Sequence, residues 1–543
     1  MPRGRNRRRW WLILAITVAI ALRSAFWGEP VETHYRVLPE SAPSGGAARA
    51  SWIIQRANGS RETWHARDTG GDGVMDEFDT PAGKFARPGL RAEPKRWLVI
   101  CLDGVPLRVL QDLWDCGHFR EFFRPTAAVS VFPSDSEAAL TTVLHAAPPP
   151  GYEHRYFDRG GGALRGGWWV TISGRGIPYI AALGYDPPGW AKALAYVMPT
   201  KTYRADLGRL RKRFLASRER VFLAHVSSSD SLFHLWPARQ VEPFLAEFEA
   251  VVRDLYLDAR GELGVLVFSD HGNTQTPSHA APVAQFLAQR GWRLATSLAK
   301  PRDVVAPAYG LVGFAAIYCA PEATEALARD LAPLEGADLI VYPDPERAPL
   351  LAQSAAGAQG ETHNAQPWPL AYNNAEPQAG AARAAGSVVI LRASGRARLV
   401  WNAEGSRFWY EATAADPLER APVFAKLRAE NRLAADGSAS DADLFAATWD
   451  THYPDAAGRL RDWATNHVQN RANILISFQP GYYHGAGIFE RMVSLAGTHG
   501  ALEAASSLGF AMSTHPLPPA LRLSNLLPRE LLKKRGTVAV LQE

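Results

Sequence analysis

Cysteine and methionine are scarce in this chain of 543 residues, with three of the first and five of the second. Three thiols cannot frame a disulfide scaffold or an all-cysteine metal cluster. Long apolar runs are missing apart from Trp10 to Leu22, which excludes a polytopic membrane protein. A diffuse excess of positive charge is missing as well. The formal net charge is +5, and Arg3, Arg5, Arg7, Arg8 and Arg9 account for all of it, with no acid among the first ten residues. The rest of the chain is formally neutral, so no nucleic-acid-binding face is indicated. With 47% hydrophobic and 21% charged residues the chain is globular in composition. Its length allows about three domains, or one large α/β domain with insertions.

The arginines directly ahead of the apolar run have the layout of an export segment. Thirteen residues, apolar but for Thr17, suit a signal-peptide core and are short for a span, which needs about 20. Arg23 occupies an unfavourable position for cleavage before Ala25. An uncleaved anchor over residues 1–28 is therefore favoured, with a cleaved signal peptide as the alternative. Arginines stay cytoplasmic, so the remaining chain is expected to face the periplasm or exterior, anchored to the inner membrane or secreted.

Residues 29–95 are polar and turn-rich. Within them Asp68, Asp72, Asp76 and Asp79 stand at positions 1, 5, 9 and 12 of a calcium-loop register, with Gly73 at position 6. Gly70 takes the place of the acid expected at position 3, and a pair of hairpin turns is the competing reading. From 96 to 299 short apolar runs (Trp97 to Leu102, Val221 to Val226, Leu263 to Phe268) alternate with helix-period segments such as Val241 to Leu257. That alternation predicts an α/β fold with a mostly parallel sheet flanked by helices. Residues 300–483 predict an inserted α+β cap: a small βαβ unit from Gly313 to Tyr342, then antiparallel strands at Ser387 to Leu391, Ala397 to Trp401 and Arg407 to Tyr410. Core-like sequence resumes over 484–543.

Each apolar run of the core is followed by an acid: Asp103, Asp230 and Asp270. Ligands of open α/β sheets bind beyond the carboxyl ends of the strands, so three carboxylates are expected to converge there. They repel one another unless a cation holds them. His234, four residues after Asp230, shares a helical face with it, and His271 follows Asp270 directly. Such a carboxylate–imidazole set suits zinc, or less closely manganese. A nucleophile candidate lies in Val131-Phe-Pro-Ser-Asp-Ser136-Glu. Pro133 stops one element and Glu137 opens a helix, so Ser134, Asp135 and Ser136 are expected at a helix N-terminus that favours an anion. His279 and His484 read as loop histidines with local partners.

Together these residues resemble the alkaline phosphatase superfamily, in its type I phosphodiesterase/nucleotide pyrophosphatase branch. The resemblance rests on Leu102-Asp103-Gly104, Phe132-Pro133, Asp230 with His234, Ser269-Asp270-His271-Gly272 and Gly497-Thr498-His499-Gly500, in family order over roughly 96–513. It implies a two-metal phosphoester hydrolase. One ion is then held by Asp230, His234 and His499, the other by Asp103, Asp270, His271 and the nucleophile. Val131 stands where many diesterases carry threonine and cannot act. Ser136 matches a second family pattern by its spacing to the helix end, which selects it over Ser134. The phosphate-contacting asparagine of the nucleotide diesterases and the sulfatase signature both lack an equivalent. A phospho-group transferase acting on lipid or glycan, and a silent binding protein of the same fold, are the alternatives. The helix after Ser136 has no arginine to clamp a dianion, so diesters are expected over monoesters. The reverse preference requires Arg155, Arg159 or Arg165 to fold back.

Overall fold

The computed structural model describes residues 33–40, 49–56, 60–81, 83–89, 93–174, 176–344, 384–466, 468–486 and 494–533. The expected anchor, residues 1–28, lies outside them. None of the described helices is long and apolar enough to cross a membrane.

The site is positioned by a six-stranded sheet. Its strands lie in the order Val221–Val226, Arg96–Leu102, Leu263–Phe268, Leu508–Ser513, Thr126–Val129 and Ala520–Arg522. Pairing is parallel except on the two sides of Leu508–Ser513, which runs antiparallel to both neighbours. The three solidly apolar runs are central here because helices cover both faces, so neither side of those strands meets water. Leu98, Ile100, Phe222, Val226, Val265 and Val267 enter one core cluster. The alternate residues Trp97, Val99, Cys101, Leu223, Leu266 and Phe268 enter the cluster on the other face. This period-two division is what the pleat imposes.

The region expected to form a cap contains a seven-stranded antiparallel sheet, with strands in the order Phe314–Ile317, Ile474–Phe478, Ala337–Pro343, Ala384–Arg392, Gly395–Asn402, Arg407–Ala414 and Ala439–Ser440. Phe314–Ile317 and Ala337–Pro343 are joined through the helix Thr324–Leu331, as the βαβ pattern predicted, but Ile474–Phe478 inserts between them and pairs antiparallel with each. The Ser387, Ala397 and Arg407 strands pair in succession as expected.

The N-terminal region forms a five-stranded sheet of sequential hairpins. Its acidic loop corrects the calcium register at one position. Asp79 stands in the strand Glu77–Thr80, and its carboxylate faces Lys84 at 3.2 Å instead of closing the loop. The other acids serve the turn. Asp68 accepts the N–H groups of Gly71 (2.6 Å) and Gly73 (2.7 Å), Asp72 accepts that of Val74, and Asp76 accepts that of Thr69. Hairpin-turn chemistry accounts for the Gly-Gly-Asp-Gly segment.

Candidate active site

Asp103 follows the strand Arg96–Leu102, where the chain turns sharply at Gly104 (φ +70°). A side chain there has no room: a Cβ on Gly104 would lie 2.5 Å from Asp230 Oδ1. Asp230 and His234 lie one turn apart on the helix Ser228–Leu235, and His234 Nε2 is 3.2 Å from Asp230 Oδ2. Ser229 Oγ ties this helix to the strand end by donating to the carbonyls of Asp103 and Val226, each at 2.8 Å. Asp270 and His271 follow Leu263–Phe268 and are fully buried. Ser136 opens the helix Ser136–Val143, capped by Asp135, which accepts the Glu137 N–H.

These elements bring all seven residues into one crevice. Ser136 Oγ donates to Asp103 Oδ1 at 3.2 Å and lies 3.3 Å from His271 Nε2, and His271 Nε2 is 3.3 Å from Asp103 Oδ1. Asp270 Oδ2 stands 3.7 Å from His271 Nε2. The ligand atoms of Asp103, Asp270 and His271 form one compact group, and those of Asp230, His271 and His499 form a second. The second group differs from the expected set: His271 replaces His234 in it, because the His271 ring lies stacked on that of His499 with centroids 3.7 Å apart. His234 stays beside Asp230, its ring centroid 5.2 Å from that of His499.

The donor set fits divalent cations. Ligands held ~2.0–2.1 Å from a tetrahedral ion stand about 3.3 Å apart, which matches the triangle of Ser136, Asp103 and His271. Each histidine places Nδ1 on a backbone carbonyl: His234 on Gly497 (2.9 Å), His271 on Gly272 (2.8 Å) and His499 on Ser134 (2.8 Å). Donation of Nδ1–H to these carbonyls leaves the Nε2 lone pairs facing the crevice, as metal-binding imidazoles require. Asp230 Oδ1 and Asp270 Oδ2 are buried with no hydrogen-bond partner. Burial raises Asp103, yet hydrogen bonds from His225 and His271 outweigh it and hold its carboxyl well below the usual range. Burial and the charge of Asp103 push Asp270 up to about 6. Burial and the neighbouring His271 push His499 down to about 3. Against burial, the neighbouring carboxylates push His271 up to about 10 and raise His234 as well, so the same carboxylates that would hold an ion hold protons on the imidazoles beside them, a conflict that bound dications remove.

Ser134 is not available as a nucleophile. It is fully buried, its hydroxyl donates to Val131 O (3.0 Å) or Ala501 O (3.1 Å), and it accepts from Arg459 Nη2 (2.8 Å). Arg459, on the cap helix Ala456–Asn466, was not singled out by the sequence reading. It donates to Val131 O, Pro454 O and Leu502 O as well, and so ties the Ser136 loop to the loop carrying His499. His225 was also missed. Its only signal was being the sole polar residue in an otherwise apolar strand.

A cavity of about 210 Å³ opens over these groups, walled by Trp168, Tyr179, Tyr196 and Tyr309. Glu137 and Glu153 also line it. His154 Nε2 lies 2.5 Å from Glu137 Oε1. Lys192 is the one lysine or arginine among the lining residues. Arg155, Arg159 and Arg165 do not line it. Arg159 is held by Arg471 O and Asn473 Oδ1, and Arg165 faces Asp158. His279 packs on Tyr482, and His484 faces Pro307 O, both away from the cavity.

No protein-family model and no curated protein matches the chain. Among solved structures it is similar to murine ectonucleotide pyrophosphatase/phosphodiesterase 5, with 12% identity, a TM-score of 0.40, and coverage of 82% of this chain and 96% of that one. It is also similar to phosphonoacetate hydrolase from Sinorhizobium meliloti in complex with phosphonoformate, with 12% identity, a TM-score of 0.39, and coverage of 84% and 98%.

Proposed function

We propose that this protein is a metal-dependent phosphoester hydrolase of the phosphodiesterase/pyrophosphatase type, with Ser136 as nucleophile. The observation that carries the reading is the triangle of Ser136 Oγ, Asp103 Oδ1 and His271 Nε2 at 3.2–3.3 Å, beside the unpartnered oxygens of Asp270 and Asp230. Asp103, Asp270 and His271, with Ser136, would hold one ion. Asp230, His234 and His499 would hold the other, with His271 between the two sets. Zinc fits this imidazole-rich donor set better than manganese.

When bound, the two ions supply Lewis acidity and offset the charge of the carboxylates. Ser136 stands at a helix N-terminus, where the first free N–H groups favour a developing oxyanion. Its hydroxyl gives up its proton to water, and Oγ forms a bond to phosphorus as the bond to the leaving oxygen breaks, the leaving oxygen departing with a proton from water where its basicity requires one. Water then cleaves the phosphoserine and returns Ser136 Oγ. Asp103 and His271 orient Oγ throughout. Glu137 and Glu153 in the cavity wall, and the lack of an arginine there, favour the single charge of a diester over the double charge of a monoester. An N-terminal anchor over residues 1–28 would hold this activity on the outer side of the inner membrane.

Chelation is expected to abolish hydrolysis of bis(4-nitrophenyl) phosphate and added zinc to restore it, with about two ions per chain. Full turnover by metal-free protein overturns the assignment. A monoester hydrolysed with higher kcat/KM than the diester overturns the substrate preference alone.

A further inference from the structure

Asp103 Oδ1 faces Ser136, and its second oxygen is held from behind. His225 Nε2 lies 2.9 Å from Asp103 Oδ2, and His225 Nδ1 lies 2.8 Å from Asp186 Oδ1. The same Asp186 oxygen takes Lys192 Nζ at 2.9 Å. Lys192, Asp186, His225 and Asp103 therefore form an unbroken chain of polar contacts, and its two inner members are about nine-tenths buried or more. Its inner end is a carboxylate of the candidate metal site. Its outer end is a lysine whose side chain, about one-fifth exposed, lines the cavity.

We propose that Lys192 binds a non-bridging anionic oxygen of the phosphoester, and that Asp186 and His225 are positioning residues that set its distance from Asp103. The proposal rests on the phosphoester reading of the site. An ammonium has three N–H donors, and Asp186 is the one partner recorded for Lys192 among the described residues, so donors remain for a ligand. No other lysine or arginine lines the cavity, whose remaining polar groups are carboxylates, imidazoles and hydroxyls. An oxyanion entering the cavity that Ser136 lines thus finds one lysine ammonium and no arginine in its wall. The shared Asp186 oxygen matters because a lysine on a flexible stem is a poor clamp until something fixes it. His225 anchors Asp186 on the side facing Asp103, and the short helix Gly189–Ala195 carries Lys192 to it. The chain couples substrate grip to the orientation of Asp103 without a contact between Lys192 and the metal ligands.

The test uses the full zinc-loaded chain and two variants, Lys192→Met and Lys192→Arg. Inorganic phosphate is titrated by calorimetry, and kcat/KM is measured on bis(4-nitrophenyl) phosphate. For Lys192→Met, phosphate affinity is expected to fall about tenfold or more and kcat/KM about 10²-fold, the loss typical of removing one oxyanion donor. Zinc content and Tm should hold near wild type. Lys192→Arg keeps the cation and is expected to recover most of the phosphate affinity. Phosphate affinity within twofold of wild type in Lys192→Met overturns the proposal, as does an Arg variant as weak as the Met variant. Phosphate binding reads Lys192 even if no ester is turned over. Inactivity of the wild-type protein on all phosphoesters therefore counts against the proposed hydrolase, while the calorimetric result still decides this inference. Asp186→Asn, which retains an acceptor for both neighbours, is expected to raise KM more than it lowers kcat. No change in KM would remove Asp186 from the chain.

Discussion

Replacing Arg459 by methionine withdraws one guanidinium from four acceptors at once. Arg459 Nη2 donates to Val131 O at 3.0 Å and Ser134 Oγ at 2.8 Å, and Nη1 donates to Pro454 O at 3.1 Å and Leu502 O at 2.8 Å. At about 1 kcal/mol net for each buried hydrogen bond, the loss is about 4 kcal/mol. Part of it is returned, because methionine no longer keeps a charge out of water, and the cost of doing so shows in Arg459 itself: burial pulls its pKa down to about 9. A net destabilisation of about 2–3 kcal/mol is expected, read as a lower Tm at neutral pH. The second effect is local. Val131 and Ser134 precede Ser136, and Leu502 follows His499, so the guanidinium braces the proposed nucleophile against a candidate metal ligand. Small misplacements of reacting groups are costly, and kcat on bis(4-nitrophenyl) phosphate should fall about tenfold or more in zinc-loaded protein measured well below its Tm. Lysine at this position keeps a charge without the planar fork and should rescue little of either loss. A methionine variant with wild-type Tm and wild-type kcat would refute the bracing role.

Ser136→Ala is expected to remove turnover while zinc content stays near wild type, whereas Ser134→Ala should lower Tm through its lost bonds, by about 1–3 kcal/mol, and keep measurable turnover; an active Ser136→Ala would displace the nucleophile assignment. Glu153, pushed up to about 7 mainly by burial, accepts the Gly310 N–H at 2.5 Å. A carboxyl whose folded pKa is raised contributes stability that is fully present below its unfolded pKa of 4.5 and is lost as pH rises through about 7. Glu153→Gln keeps the acceptor without the charge, so its Tm relative to wild type should rise between pH 5 and pH 8, by up to ~2 kcal/mol of stability; a pH-independent difference would count against this. Gly104→Ala combines a left-handed backbone, costing about 1–2 kcal/mol, with a Cβ 2.5 Å from Asp230 Oδ1. It should bind less than the wild-type complement of zinc and melt lower, and metal analysis showing full loading with unchanged Tm would contradict the close approach.

The site was legible to the extent that it follows from local pattern. Solid apolar runs mark strands buried on both faces, and an acid just past each run lies at the sheet's carboxyl edge whatever the helices do, so Asp103, Asp230 and Asp270 could be named from their positions. The four-residue interval of Asp230 and His234, and the proline before Ser134, are equally local. The choice between Ser134 and Ser136 needed a spacing rule. In the structure Ser134 is enclosed by backbone carbonyls and Arg459, while Ser136 Oγ faces Asp103.

What the sequence by itself determined about this protein is therefore three central strands, a mostly parallel sheet flanked by helices, and a list of acids and histidines at strand ends, because backbone periodicity and turn chemistry act over a few residues. Only the tertiary structure decided how the list divides. His271 reaches toward both groups because its ring stacks on that of His499, 228 positions away in the chain. His225 read as a core residue until Asp186 and Asp103 were found on its two nitrogens. Arg459 came from the cap, more than 300 residues from the loop it braces. Asp79, in register for a calcium loop, turned instead to Lys84 across a hairpin. Each of these outcomes depends on contacts between segments distant in sequence, where side-chain direction and packing decide the partner and no local spacing records it.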